Sequence, residues 1–197
     1  DLGLVSTPGA LLLRQLGMVD NSVGGEISSD RAFTLAANTL NNQGGRLISS
    51  EALTLRIAKT LDNSLKGQVL ATDGLAIESQ VLDNRAGTIG SKGDARISVT
   101  SLDNAEQGSL VSEGRLELVA DQVSNGNQGR IAARGVLEAA VGTLLQQGGE
   151  LVSQGSLDLR ADMLDNSQSG LIAANGGIAI EAVSYTHLRA HETRGNL

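Results

Sequence analysis

Apolar residues recur in this chain on two scales. Over a few residues they alternate with polar ones, and the alternating stretch returns every 20 or 21 residues. The repeats open at Val19, Leu40, Leu61, Leu82, Leu102, Val123, Leu144 and Leu164. Ile27, Leu47, Val69, Ile89, Leu110, Ile131, Leu151 and Ile172 share one column. Two residues on, Ser29, Ser49, Ala71, Ser91, Ser112, Ala133, Ser153 and Ala174 form a column of small residues. A third column holds Phe33, Leu53, Leu75, Ala95, Leu116, Leu137, Leu157 and Ile178, and a fourth, again two residues on, Leu35, Leu55, Ile77, Ile97, Leu118, Ala139, Leu159 and Ile180. A spacing of two is that of a strand, whose side chains point alternately to opposite faces. Between them lie polar residues such as Thr54, Glu78, Glu117 and Asp158. No repeat sustains a 3.6-residue spacing, which argues against helices.

A period of this length signals a solenoid, in which each repeat buries its apolar face only against its neighbours. Equivalent strands stacked in register make parallel sheets around one core. The expected fold is therefore all-β: a right-handed parallel β-helix of about eight coils, the hand following the strong preference of parallel crossovers. A leucine-rich repeat has a similar period, but it places its Asn late in the motif. Here the Asn lies two residues after the opening Leu, and the Leu-x-Leu pair comes later.

That polar column is Asn21, Asn42, Asn63, Asn84, Asn104, Asn125, Gln146 and Asn166. Asn tolerates left-handed backbone and bonds locally, so a corner is predicted here, with stacked amides bonding from coil to coil as a ladder. Gly25, Gly45, Gly67, Gly87, Gly108, Gly129, Gly149 and Gly170 follow at a slightly variable gap, which puts the tolerant loop between Asn and Gly.

The array is expected over residues 19–183. Residues 1–18 read as an irregular partial coil, with Pro8 and the crowded Leu11-Leu12-Leu13, and 184–197 as a tail outside the repeat. The start at Asp1 suggests a piece of something longer. The tail, from Val183-Ser184-Tyr185-Thr186-His187 to Thr193, resembles the in-frame translation of a transposase adapter used in sequencing libraries, and it is expected to be an assembly artefact. It holds both His residues, His187 and His191, with Glu192 beside them. An i, i+4 pair suits Zn²⁺ on a helix, but the zincin order His-Glu-x-x-His is not met and no third firm ligand follows. No metal site is expected.

Composition narrows the functional classes. Apolar residues make up 40% but aromatics only 1%, so the core must be built of thin aliphatic layers. The chain carries a net −7; the tail holds +1 (Arg189 and Arg194 against Glu192), which leaves −8 on residues 1–183. With no basic stripe to displace counterions, nucleic acid is not an expected partner. No apolar run is long enough to span a bilayer. Cys is absent, which excludes disulfides and thiolate metal sites. The candidates for catalysis are Asp20, Asp62, Asp83, Asp103 and Asp165, which recur beside the Asn corner. Carboxylates on adjacent coils stand about 4.8 Å apart, near the separation a retaining glycosidase uses. Yet they repeat with the coil, whereas a catalytic group should be a local exception, and no aromatic platform for a sugar is available. No catalytic or cofactor-binding residue is assigned. The repeat also lacks the Gly-Gly-x-Gly-x-Asp signature of calcium β-rolls and a Thr-x-Thr column for ice.

One repeat shows the full motif: Leu102-Asp103-Asn104, Gly108, Leu110, Ser112, Gly114, Leu116, Leu118 and Ala120. Leu164-Asp165-Asn166 with Gly170 and Ile172 is a second good copy. The motif resembles the filamentous haemagglutinin repeat, and the resemblance covers roughly residues 19–183. Gln146, Ala95 and Ala139 depart from it, and no Arg-Gly-Asp motif is present. The resemblance implies a structural rod segment of a large bacterial exoprotein exported by two-partner secretion, either a haemagglutinin-like adhesin or the stalk of a contact-dependent growth inhibition toxin. It implies a secreted or cell-surface location, no enzymatic activity and no cofactor. The implied partners are flanking coils of the parent chain, an outer-membrane transporter, and a host or neighbouring-cell receptor. A fragment of a β-helical polysaccharide-acting enzyme is the alternative.

Overall fold

The structure is a computed structural model, and it describes residues 3–186. Its elements in chain order are β1 (Leu4–Thr7), β2 (Leu11–Asp20), β3 (Glu26–Ser29), β4 (Phe33–Asn41), β5 (Arg46–Ser49), β6 (Leu53–Asp62), β7 (Gln68–Ala71), β8 (Leu75–Asp83) and β9 (Thr88–Ser91). Then follow β10 (Ala95–Asp103), β11 (Ser109–Ser112), β12 (Leu116–Ser124), β13 (Arg130–Ala133), β14 (Leu137–Leu145), β15 (Glu150–Ser153), β16 (Leu157–Asp165), β17 (Leu171–Ala174) and β18 (Ile178–Thr186). The odd-numbered strands, four residues each, form one 9-stranded parallel sheet, and the even-numbered long strands form another. The chain is a parallel β-solenoid, and no helix occurs among the described residues. The count is nine coils where the repeat predicts about eight, because Leu4–Asp20 supplies both strands of one more coil.

Register is set by the columns. Ile97, Leu118, Ala139, Leu159 and Ile180 are consecutive partners in the long-strand sheet, as are Leu110, Ile131, Leu151 and Ile172 in the short-strand sheet. Each inward side chain rests on its equivalent above and below, so one mismatched repeat would expose its whole apolar set. Leu35, Leu55, Ile77 and Ile97 are fully buried in this way.

The long strand does not alternate throughout. In β12, Leu116, Leu118 and Ala120 point inward, Asp121 and Gln122 are both exposed, and Val123 is inward again. Pairing skips Asp121, which marks a bend between two inward runs. Each coil therefore has three sides: the short strand and the two halves of the long one. The bend creates a further inward column, Ala37, Ile57, Val99, Ala120, Val141 and Ala161, all buried.

The ends differ from the middle. In the first coil the register shifts between Leu13 and Leu16, around Gln15 with φ of 60°. At the other end β18 continues past Val183, where the sequence alternation stops, and pairs Tyr185 with Leu164 and Thr186 with Asp165. Leu11, Leu13 and Val19 at one end, and Ile178 and Ile180 at the other, are only partly buried because they have one neighbouring coil. Residues 187–197, with His187 and His191, lie outside the described residues, and with them the zinc reading and most of the stretch that resembles an adapter.

Candidate functional site

The most elaborate polar construction in the molecule is the corner that follows each long strand. Asn42, Asn63, Asn84, Asn104, Asn125 and Gln146 are fully buried there, and Asn21 and Asn166 nearly so. A buried amide must find partners or cost free energy. These do so along the stack. Nδ2 of Asn21 donates to Oδ1 of Asn42, and the same 2.7 Å bond recurs from Asn42 to Asn63, Asn63 to Asn84, Asn84 to Asn104, and Asn104 to Asn125. Asn125 then donates to Oε1 of Gln146 at 2.8 Å. The second Nδ2 hydrogen serves the backbone of the next coil: Asn104 donates to the Arg130 carbonyl at 3.1 Å and Asn125 to that of Glu150 at 2.9 Å.

The ladder stops at Gln146. Its amide nitrogen turns to the Leu171 carbonyl at 3.3 Å, and Asn166 Oδ1 is left buried without a hydrogen-bond partner. The extra methylene of Gln carries the amide beyond the place an Asn amide would occupy.

The glycine column is explained by close approach. A Cβ on Gly108 would lie 2.4 Å from the Asn84 carbonyl oxygen, and one on Gly129 2.3 Å from that of Asn104. No side chain fits where the chain passes over the corner of the preceding coil. The left-handed residues are not the Asn column but the loop between Asn and Gly: Leu65 and Lys66, Glu106 and Gln107, Asn127 and Gln128. Such residues cost about 1–2 kcal/mol each. Stacking holds them in place, since Leu65 N–H donates to the Arg85 carbonyl, Lys66 to Ala86 and Gln128 to Gly148, each in the next loop.

The recurring carboxylates cap this same corner. The N–H of Ser22 donates to Asp20, that of Ser64 to Asp62, that of Arg85 to Asp83, that of Ala105 to Asp103 and that of Ser167 to Asp165. These are two-residue Asx turns, which explains why Asp follows the opening Leu so often. Asp62 and Asp165 each also accept from a glutamine side chain in the loop of the preceding coil, Gln43 and Gln147. Asp83 and Asp103, on adjacent coils, are bridged by Arg85 at 2.7 and 3.5 Å. The bond to Asp83 pushes the Arg85 pKa up. The hydroxyl and N–H of Ser22 hold the Asp20 carboxyl below its ordinary value, and those of Ser167 do the same for Asp165 against a smaller opposing effect of burial. For Asp20 and Asp165 the shift runs away from the range a general acid needs.

The opposite corner uses hydroxyls. Ser112 Oγ donates to the Gly93 and Arg115 carbonyls at 2.8 and 3.0 Å, and Ser49 Oγ does the same to those of Arg31 and Ala52. Outside, ion pairs link neighbouring coils, among them Arg46–Glu26, Arg130–Glu150 and Arg115–Glu138. Among the described residues, no three His, Cys, Asp or Glu side chains gather as a metal site would require, and no helix is long and apolar enough to cross a membrane.

The structure places all eight residues of the predicted amide column at this corner and the left-handed backbone in the loop that follows it. Sequence reasoning did not find the Ser79 hydroxyl, which sits in the inward column opened by the bend and has no partner. Its only signal is a Ser between Ile57 and Val99 in register.

The sequence profile of the haemagglutinin repeat matches this chain three times, over residues 4–64, 56–118 and 95–180. No protein of curated function and no solved structure matches it.

Proposed function

This chain belongs to the haemagglutinin repeat family, and we propose that it is a structural segment of the rod of a large secreted or cell-surface exoprotein, holding a distal binding or toxin domain away from the cell. The observation that carries this reading is the unbroken stack. Nine coils follow one another in register with one amide corner running through most of them. At about 4.8 Å per coil the described part contributes roughly 40 Å of reach. Backbone bonds between all coils resist bending, and the acidic surface keeps the rod in solution.

In this reading the segment is not an enzyme. Its repeated Asp residues serve as turn caps, and Arg85 bridges Asp83 and Asp103. Its immediate partners are the flanking coils of the parent chain, with the outer-membrane transporter acting during export and a receptor on another cell acting at the distal end.

The test is geometric. Duplicating one repeat, residues 82–101, should lengthen the particle by about 4.8 Å at constant cross-section in small-angle scattering. A widened cross-section would sink the rod. Turnover of an oligosaccharide that is lost in Asp103→Asn would instead favour the polysaccharide-acting alternative.

A further inference from the structure

The outward positions of the two sheets differ. On the long-strand sheet one outward column runs Arg96, Glu117, Glu138, Asp158 in successive coils. On the short-strand sheet the central outward column runs Ile48, Leu70, Gly90, Val111, Ala132, Val152. A stripe of half-buried apolar residues, interrupted by the buried Ala132, thus runs along the outside of the rod. Its relief is uneven. Leu70 leans over Gly90, with its Cδ2 3.2 Å from where a Cβ on that glycine would lie, and Ala132 floors a depression of about 510 Å³ between Val111 and Val152. Charges flank the stripe, with the ion pairs Arg46–Glu26 and Arg130–Glu150 on one side and Lys92 and the pair Arg134–Glu113 on the other.

We propose that this face binds the same face of a second copy, with the two rods antiparallel. The two-fold axis lies parallel to the strands, midway between the coil of Gly90 and the coil of Val111. That operation sets Val111 against Gly90, Leu70 over the depression at Ala132, and Ile48 against Val152. It also sets Arg46 against Glu150 and Lys92 against Glu113. Every match occurs twice, as an isologous interface requires.

The neighbouring arrangements fail on charge and size. Centring the axis on the coil of Gly90 puts Glu26 against Glu150, Arg46 against Arg130, and Lys92 against its own copy. Centring it on the coil of Val111 puts Glu113 against itself. A parallel pair puts Arg130 against Arg134 and Gly90 against Gly90, which leaves a void. Like charges brought together select strongly against a register. Eight four-residue strands at about 4.8 Å spacing cover roughly 500 Å² per partner, or about 1,000 Å² in all. That is the lower end for a specific pair and predicts a reversible dimer.

Sedimentation equilibrium of the chain at about 0.5 mM should give the dimer mass. Val111→Arg should give the monomer mass with unchanged circular dichroism and thermal midpoint. Lys92→Glu should raise the dissociation constant about tenfold or more, and adding Glu113→Lys should reverse the change. The chain has no cysteine, so Ile48→Cys combined with Val152→Cys should form a disulfide between copies on oxidation, while either substitution alone should not. A monomer mass at that concentration, a dimer that survives both Val111→Arg and Lys92→Glu, or self-linking of Ile48→Cys alone, which marks parallel rods, would each overturn the proposal.

Discussion

Asn104 and Gln146 occupy the same corner, two coils apart, and both are fully buried. Asn104 accepts from Asn84, donates one hydrogen to Asn125 and shares the other between the Arg130 and Gly108 carbonyls. Gln146 carries the same amide and accepts from Asn125, but it does not reach back to Asn166. The two residues have the same hydrogen-bonding groups and differ by one methylene. In a stack with fixed spacing, placement decides whether a buried amide stabilises the corner or leaves its neighbour unpaired.

The strongest way to break this contrast is to remove the satisfied amide. Asn104→Leu would leave Asn125 Oδ1 without its donor and Asn84 Nδ2 with only the Ser109 carbonyl. Two buried groups lose partners, so unfolding stability should fall by about 4 kcal/mol. Chemical denaturation measures it, and a loss under about 1 kcal/mol would mean that the ladder contributes little. Gln146→Asn should act in the opposite direction. Extending the ladder to Asn166 satisfies the orphaned oxygen and should add about 1–2 kcal/mol, accompanied by slower amide exchange around Gly170. Destabilisation by this change would show that the Gln fills space an Asn cannot.

Ser79→Val extends the comparison from the corner to the apolar side. Its hydroxyl is buried without a partner between Ile57 and Val99. Replacing it with Val should raise stability by about 1 kcal/mol, read as a higher thermal midpoint.

The smallest effect concerns acid. Asp165 has its carboxyl held below the ordinary value by Ser167. A depressed folded pKa contributes stability above the unfolded value of about 3.9, and the contribution is lost as pH falls through the folded value. Asp165→Asn should therefore lower the thermal midpoint slightly at neutral pH and leave the two proteins indistinguishable at the acid end. An equal difference at all pH values would assign the effect to packing instead.

Much of the architecture was legible in the sequence because a solenoid states each instruction many times. Leu102 to Ala120 specifies a coil, and seven approximate copies confirm which positions matter. The corner residues were legible for the same reason. What escaped were features with no residue-type signature. The bend at Asp121-Gln122 consists of two ordinary polar residues, and only the pairing that skips Asp121 reveals it. Left-handed backbone was expected on the Asn column, yet it falls on Leu65, Lys66, Glu106 and Gln107. Local preference loses there to hydrogen bonds between stacked loops, which no single repeat contains. The extra coil at the N-terminus was masked by the irregular register around Gln15, and Tyr185 joins the last strand because an edge strand needs backbone partners more than an apolar side chain.

The amide column also has a direction. All six links run from the nitrogen of one coil to the oxygen of the next toward the C-terminus. Backbone dipoles in the sheets alternate and largely cancel. The side-chain amides do not, because each carries a moment close to the roughly 3.5 D of a peptide and lies head to tail with the next. Aligned groups polarise one another, so each added coil strengthens the bonds already made. The corner is thus a row of matched dipoles, oxygen-first at Asn21 and nitrogen-last where Gln146 diverts it. A coil presented upside down meets a donor with a donor, and the rod has a polarity that its apolar core alone would not impose.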